Sequence, residues 1–225
     1  MRRLVVVSLG LIVAAMAASL AVYAHRAAWL PERVPTHWNA AGEVDGWTAR
    51  DGLLPVLLLM PGAMLFLLGL ALALPWLSPE KFRIEPFRAT FVYIMLLLQV
   101  QFAYLTGVIL AGCTGLLRGT DFTRWLVGGL LLVMALLGNV LGKVRRNFYV
   151  GVRTPWTLAS EAVWVRTHRV AAWTFTAGGL AAFVLVLTGV HPLAALGVFL
   201  AAIFVPVVYS LVLYKHLQKL GRLGA

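Results

Sequence analysis

The chain has 225 residues, of which 61% are hydrophobic and 12% charged, and its mean hydropathy is +0.90. Ordinary soluble domains are roughly 45–50% apolar, so this composition excludes a soluble globular enzyme, and with it a disordered or collagen-like chain. Cys113 is the single cysteine, which excludes an internal disulfide and any zinc or iron–sulfur site built from several thiolates.

Six stretches are long and apolar enough to cross a bilayer core of about 30 Å as helices. In chain order they are Leu4 to Tyr23, Leu53 to Leu77, Thr90 to Cys113, Trp125 to Leu141, Val170 to Val190 and Leu193 to Tyr214, and none contains Asp, Glu, Lys or Arg. The first begins after Arg2 and Arg3, like a secretory signal. Its apolar run exceeds the ~7–15 residues of a signal core, and it is therefore expected to be a span. The predicted fold class is an all-α polytopic membrane protein, with residues 1–78 carrying the first two spans and residues 79–225 the remaining four.

Orientation follows from the basic residues, because short loops rich in Lys and Arg stay in the cytoplasm. With the N-terminus inside, one side carries fourteen basic residues, Lys81 among them, and three acidic ones. The other carries five of each. The whole net charge of +11 is then cytoplasmic, where anionic headgroups attract cations, and the high charge needs no direct nucleic-acid partner. Both termini are expected in the cytoplasm.

Two connections are long enough to carry function. The external one, about His25 to Gly52, has extended backbone before Pro31 and Pro35, turn signals at Asn39 to Gly42 and Asp45-Gly46, and interfacial tryptophans at 29, 38 and 47. A small, partly ordered cap is expected, with His37, Asn39, Gly42, Asp45 and Trp47 as candidate functional residues. A cation held by His37, Asn39, Glu43 and Asp45 is chemically conceivable, but turn chemistry and an aromatic belt explain the same residues and no metal is expected.

The cytoplasmic connection, Gly142 to Arg169, contains Thr154-Pro155, a helix-start signal, with Thr157 or Ser160 placed to cap a short helix and Glu161 near its positive end. Glu161, Trp164 and His168 fall on one helical face. The plain reading is a basic interfacial helix with Trp156 and Trp164 among the headgroups. The sharper one is a docking surface for a cytoplasmic partner or a polar pocket joined to the bundle, with Arg153 expected to organise the loop by bridging carbonyls or Glu161.

Chemistry inside the spans is sparse. Secondary transporters usually keep ionisable groups near the midplane, whereas here the polar inventory is Gln99, Gln101, Thr106, Asn139 and a few hydroxyls. Gly138 and Gly142 suggest close helix packing, and Pro61 and Pro206 each remove a backbone donor inside a span. Glu161 and His168 form an acid–imidazole pair two turns apart, too far to touch, so no catalytic role and no cofactor is expected.

The stretch P-T-H-W-N-A-A-G-E-V-D-G-W resembles the small domain of unknown function that follows the first span in bacterial membrane proteins of the SdpI/YfhL type. The stretch G-N-V-L-G-K-V-R-R-N-F-Y-V-G-V-R-T-P-W-T-L, continuing to W-V-R-T-H-R, is similar to the signature of the SdpI domain itself. The resemblance implies a multi-pass protein of the bacterial cell membrane that confers immunity to a secreted, membrane-active peptide toxin. In some members it also implies a relay to a cytoplasmic helix-turn-helix repressor. It carries over Asn139, Asn147, Gly151, Arg153, Thr154, Pro155, Trp156, Thr157, Glu161, Trp164, Thr167, His168 and Arg169 as the family-characteristic set. The alternatives are a transporter of small solutes or peptides and a housekeeping envelope protein.

Overall fold

The computed structural model describes residues 1–39, 42–80 and 83–223. Lys81, counted above among the basic residues, and Ala40 and Ala41, within the expected Asn39 to Gly42 turn, lie outside the described residues. The helices are α1 (Arg2–Ala24), α2 (Arg26–Trp29), α3 (Leu54–Leu77), α4 (Arg88–Cys113), α5 (Gly119–Leu141), α6 (Pro155–Ala159), α7 (Glu161–Leu187) and α8 (Pro192–Lys219). Strands β1 (Arg33–Trp38) and β2 (Val44–Ala49) form an antiparallel pair. Among the described residues, six helices are long and apolar enough to cross a membrane, at the six places expected from the sequence. The chain divides into two compact units, residues 1–72 with 95–130, and residues 73–94 with 131–225.

In the first unit, the buried residues of α1 are Leu4, Ser8, Ile12, Ala15, Ser19 and Val22. Their steps of three and four place them on one stripe of the helix. Ser8, Ala15 and Ser19 alternate on that stripe with Leu4, Ile12 and Val22, while Val6, Val13 and Leu20 stay exposed. Lipid accepts the large apolar side chains left exposed, and the buried serines and alanine allow close helix packing. Val22 joins Leu30, Val34, Leu53, Leu57 and Cys113 in one apolar cluster, which seats the hairpin on α1, α3 and α4.

Pro61 sits inside α3 without breaking it. A proline has no N–H, so the carbonyl four residues earlier, on Leu57, loses its helical donor. Ser19 Oγ donates to that same oxygen at 2.9 Å, and its neighbour in the bundle thereby repairs the gap. A second cross-helix bond, from Gln99 Nε2 to the Met64 carbonyl at 3.0 Å, ties α4 to α3.

The connection between α1 and α3, expected as a small, partly ordered cap, holds the antiparallel pair β1 and β2. Its register pairs Arg33 with Ala49, Val34 with Thr48 and Pro35 with Trp47, with irregularities around His37. The tip is closed by Asn39, whose N–H donates to the Glu43 carbonyl and whose side chain accepts from the Glu43 N–H at 3.0 Å. Trp38 stacks on Phe122 of α5, centroids 3.9 Å apart, and Gly42, at φ 81°, lies against Thr123 and Gly119. Alternation alone did not reveal these strands, because proline and the bulge interrupt it.

In the second unit, α5 and α7 approach to backbone distance. A Cβ on Gly138 would lie 2.6 Å from the Thr176 nitrogen, and one on Gly179 would lie 2.9 Å from the Ala135 nitrogen. Gly142, the partner of Gly138 in the small-residue pair, is looser, with its nearest atom at 3.8 Å. Helix α7 begins nine residues before the expected span, so Glu161 to Arg169 belong to a continuous helix rather than to a separate interfacial one. Helices α7 and α8 form the expected hairpin, and His191 Nδ1 caps α8 by accepting from the Leu193 N–H.

The repair of Pro61 yields a double-mutant test. Ser19→Ala should cost about 1 kcal/mol, the scale of a hydrogen bond between helices in a bilayer. Pro61→Ala restores a donor to the Leu57 carbonyl, so Ser19→Ala in that background should cost a few tenths of a kcal/mol at most. Reversible unfolding in mixed micelles measures both, and equal costs in the two backgrounds would contradict the assignment.

Candidate functional site

The chain between α5 and α7 folds into a compact knot, built first by Asn147. This side chain is fully buried. Its Nδ2 donates to the Arg145 carbonyl at 2.7 Å and to the Val150 carbonyl at 3.1 Å. Its Oδ1 accepts from the N–H groups of Tyr149 and Val150 at 2.6 and 2.8 Å. An asparagine amide has two donors and two acceptor positions, so all four are used on backbone within three residues. The loop therefore turns tightly and presents Phe148, which is exposed, while Arg153 Nη1 donates to the Phe148 carbonyl.

Gly151 follows at φ 120°, a conformation an L side chain rarely adopts. A Cβ there would also collide with His168 Nε2. Because Gly151 lets the backbone pass so close, the next N–H, on Val152, donates to His168 Nε2 at 3.0 Å. The other ring nitrogen, Nδ1, lies 2.9 Å from the Trp164 carbonyl. A carbonyl can only accept and an N–H can only donate, so the geometry assigns the proton to Nδ1 and leaves Nε2 as the acceptor of a neutral imidazole. His168 is fully buried and stacks on Trp164, centroids 4.0 Å apart.

Trp164 does not lie among the headgroups. It is fully buried, and its Nε1–H donates to the Val144 carbonyl at 2.8 Å; the interfacial placement expected for it is corrected accordingly. A buried indole needs a partner for its N–H, and the loop carbonyl just past α5 supplies it. Trp156 is half-buried and packs on the cluster of Val163, Leu213 and Leu217.

Thr154 caps α6 in a reciprocal box with Thr157, and Pro155 takes the first helical position. Thr157 Oγ1 donates to the Val152 carbonyl at 2.8 Å. His168 and Thr157 thus hold the N–H and the carbonyl of the same residue, Val152. Thr154 Oγ1 lies 3.0 Å from Ser210 Oγ of α8, and Ser210 Oγ donates to the Val207 carbonyl at 2.6 Å. Ser160 Oγ donates to the Leu223 carbonyl at 2.7 Å. Ser160 is the first residue before α7 but makes no side-chain cap.

Glu161, at the start of α7, pairs with Arg146 at 3.2 Å, and Arg146 Nη1 also donates to the Leu158 carbonyl. Of the two partners expected for Arg153, a carbonyl is met, on Phe148, while Glu161 is taken by Arg146. Of the remaining candidates, Asn139 and Arg169 are exposed, and Thr167 is buried with no partner for its hydroxyl among the described residues. Ser210 and Arg146 were not singled out from the sequence. A lone serine in an apolar helix and one arginine in a basic run carry no distinguishing spacing.

The hairpin candidates do not gather around a common point. His37 Nδ1 lies 2.5 Å from Asp45 Oδ1 on the exposed face, while Asn39 Nδ2 donates to Glu43 Oε2 at 3.1 Å in the tip. Trp47 is exposed. Among the described residues no three His, Cys, Asp or Glu side chains converge as a metal site would require.

Gly151→Ala should open the knot. The backbone strain alone is on the order of 1–3 kcal/mol, and the clash with His168 adds to it. In hydrogen exchange the Val152 amide should be slow in the wild type and at least tenfold faster in the variant, with α8 unchanged. Slow exchange at Val152 in Gly151→Ala would contradict the geometry.

The family model for the SdpI/YfhL protein family matches residues 143–210, the segment that holds the knot, α6, α7 and most of α8. The model for a domain of unknown function, DUF1648, matches residues 10–65, which take in the hairpin with parts of the helices on either side. No curated protein and no solved structure matches the chain. Residues 10–65 are therefore similar to DUF1648, and residues 143–210 to the SdpI/YfhL protein family.

Proposed function

We propose that this chain is a multi-pass protein of a bacterial cytoplasmic membrane that protects the cell against a secreted, membrane-active peptide. In this reading the knot and both termini face the cytoplasm, and the hairpin faces outward. The observation that carries it is the coincidence of the SdpI/YfhL match, residues 143–210, with the buried network of Asn147, Gly151, Thr157 and His168. Charge supports the orientation. The acids on the basic side are each drawn to a neighbouring arginine, Glu80 to Arg83, Glu85 to Arg88 and Glu161 to Arg146. The remaining lysines and arginines are left for anionic headgroups.

A non-catalytic role agrees with how the polar groups are used. Both ring nitrogens of His168 are committed to backbone, and all four bonds of the Asn147 amide hold the loop, so neither has capacity to move a proton on a substrate. What the knot offers is a rigid cytoplasmic surface continuous with α7, suited to passing a change in the spans to a partner. A helix-turn-helix repressor held at the membrane is the partner this reading proposes.

The test is survival of a peptide-sensitive bacterium that expresses the chain. Wild type should protect, and Gly151→Ala at matched membrane abundance should lose at least tenfold in the protective dose. Exchanging the hairpin residues 44–47 for a Gly/Ser linker should also abolish protection if the peptide is met there. Equal survival with and without the wild-type chain, across membrane-active peptides, would overturn the reading. The orientation is checked by labelling a cysteine at Trp47 from outside the cell, and labelling there only from inside would reverse it.

A further inference from the structure

The first unit contains a groove of about 520 Å3 on its hairpin side, within the range of small-molecule sites. Its wall on α4 is made by Gly107 and Leu110, three residues apart on one helix face, and is continued just past the end of the helix by Thr114, whose N–H still donates to the Leu110 carbonyl at 2.9 Å. Val22 of α1 and Trp29 of α2 complete it, with Leu116 at the mouth. We propose that this groove is a lipid site that holds one acyl chain from the leaflet on the hairpin side.

The chemistry of the lining selects hydrocarbon. Its walls are apolar apart from Thr114, whose hydroxyl already donates to the Leu110 carbonyl at 2.9 Å. A peptide backbone entering this groove would bring N–H and C=O groups to walls that offer them no partner. An acyl chain has nothing to satisfy. Of the cations near lining residues in sequence, Arg26 is engaged by Asp51 at 2.8 Å and Arg118 donates to the Gly115 carbonyl at 2.9 Å, so the groove recognises the chain rather than an anionic headgroup.

Length and depth identify the leaflet. From Thr114, just past the end of α4, down to Gly107 the groove spans seven residues, about 10 Å at the helical rise, against about 15 Å for the hydrocarbon of one leaflet. The occupied segment therefore stays within that leaflet. Trp29, half-exposed at the rim, has the amphipathic ring that marks the boundary between hydrocarbon and headgroups.

Gly107 makes the proposal testable without disturbing the packing. It is helical and exposed, and a Cβ added to it meets nothing within 4 Å, so a larger side chain would fill the groove and leave the bundle unchanged. Gly69 of α3 is equally unobstructed, lies outside the groove, and serves as the control. Protein released from mixed phosphatidylethanolamine and phosphatidylglycerol membranes into detergent is examined by native mass spectrometry. The wild type and Gly69→Phe should retain one phospholipid, with no preference between the two headgroups. Gly107→Phe and Gly107→Leu should retain at least tenfold less, at the same melting temperature as wild type. A diazirine-labelled acyl chain should crosslink to residues 107–116 in the wild type and not in Gly107→Phe. Equal lipid retention by Gly107→Phe and wild type, loss in Gly69→Phe as well, or retention governed by headgroup would overturn the proposal.

Discussion

A bilayer offers no hydrogen-bond partners, so every backbone group released from a helix must be satisfied by the protein itself. The described structure meets this constraint within a span, and the buried loop beyond α5 meets the same demand because burial excludes water there too. Where Pro61 deprives the Leu57 carbonyl of its donor, Ser19 supplies one. Where the chain leaves α5 and must turn before α6, Asn147 binds four backbone groups of the loop. Where the loop passes α7, His168 takes the Val152 N–H and Thr157 takes the Val152 carbonyl. The polar residues of this apolar chain are few, and most of those in the knot are spent on backbone.

That use of polar groups connects fold to function. An imidazole bonded on both nitrogens and an amide bonded four times are structural clamps, and the surface they hold in place is the loop around Phe148 with its neighbouring arginines. Helix α7 runs without interruption from Glu161, at the knot, to Leu187, so a displacement of the span would reach the loop through His168. Three polar contacts join the loop to α7, from Val152 to His168, from Trp164 to the Val144 carbonyl and from Arg146 to Glu161, and Val152 packs in one apolar cluster with Ala171.

Much of the fold was legible in the sequence. Hydropathy located the six spans, because lipid imposes length and apolarity on each. The start of α6 at Thr154-Pro155 was readable from capping chemistry, although Thr154 itself is the cap. Trp164 was misplaced at the interface, since an indole beside arginines reads the same whether it faces headgroups or a loop carbonyl. Of the two partners expected for Arg153, a carbonyl is the one it takes, on Phe148; Glu161 pairs with Arg146, which spacing could not distinguish because the Asn147 turn that separates the two arginines is fixed by side-chain hydrogen bonds to the backbone. The hairpin strands were hidden by Pro35 and by the irregular register at His37. Family resemblance located the motif, and the geometry supplies the reason for its residues: Gly151 is needed so that Val152 can reach His168.

The most direct test of this account is the protonation of His168 in bilayers at neutral pH, read by nitrogen-15 solid-state NMR of the imidazole. The structure predicts a neutral ring with the proton on Nδ1 and an unprotonated Nε2 that shows through-space contact to the Val152 amide proton. A proton on Nε2, a doubly protonated ring, or no contact to Val152 would contradict the claim that His168 holds the loop to α7.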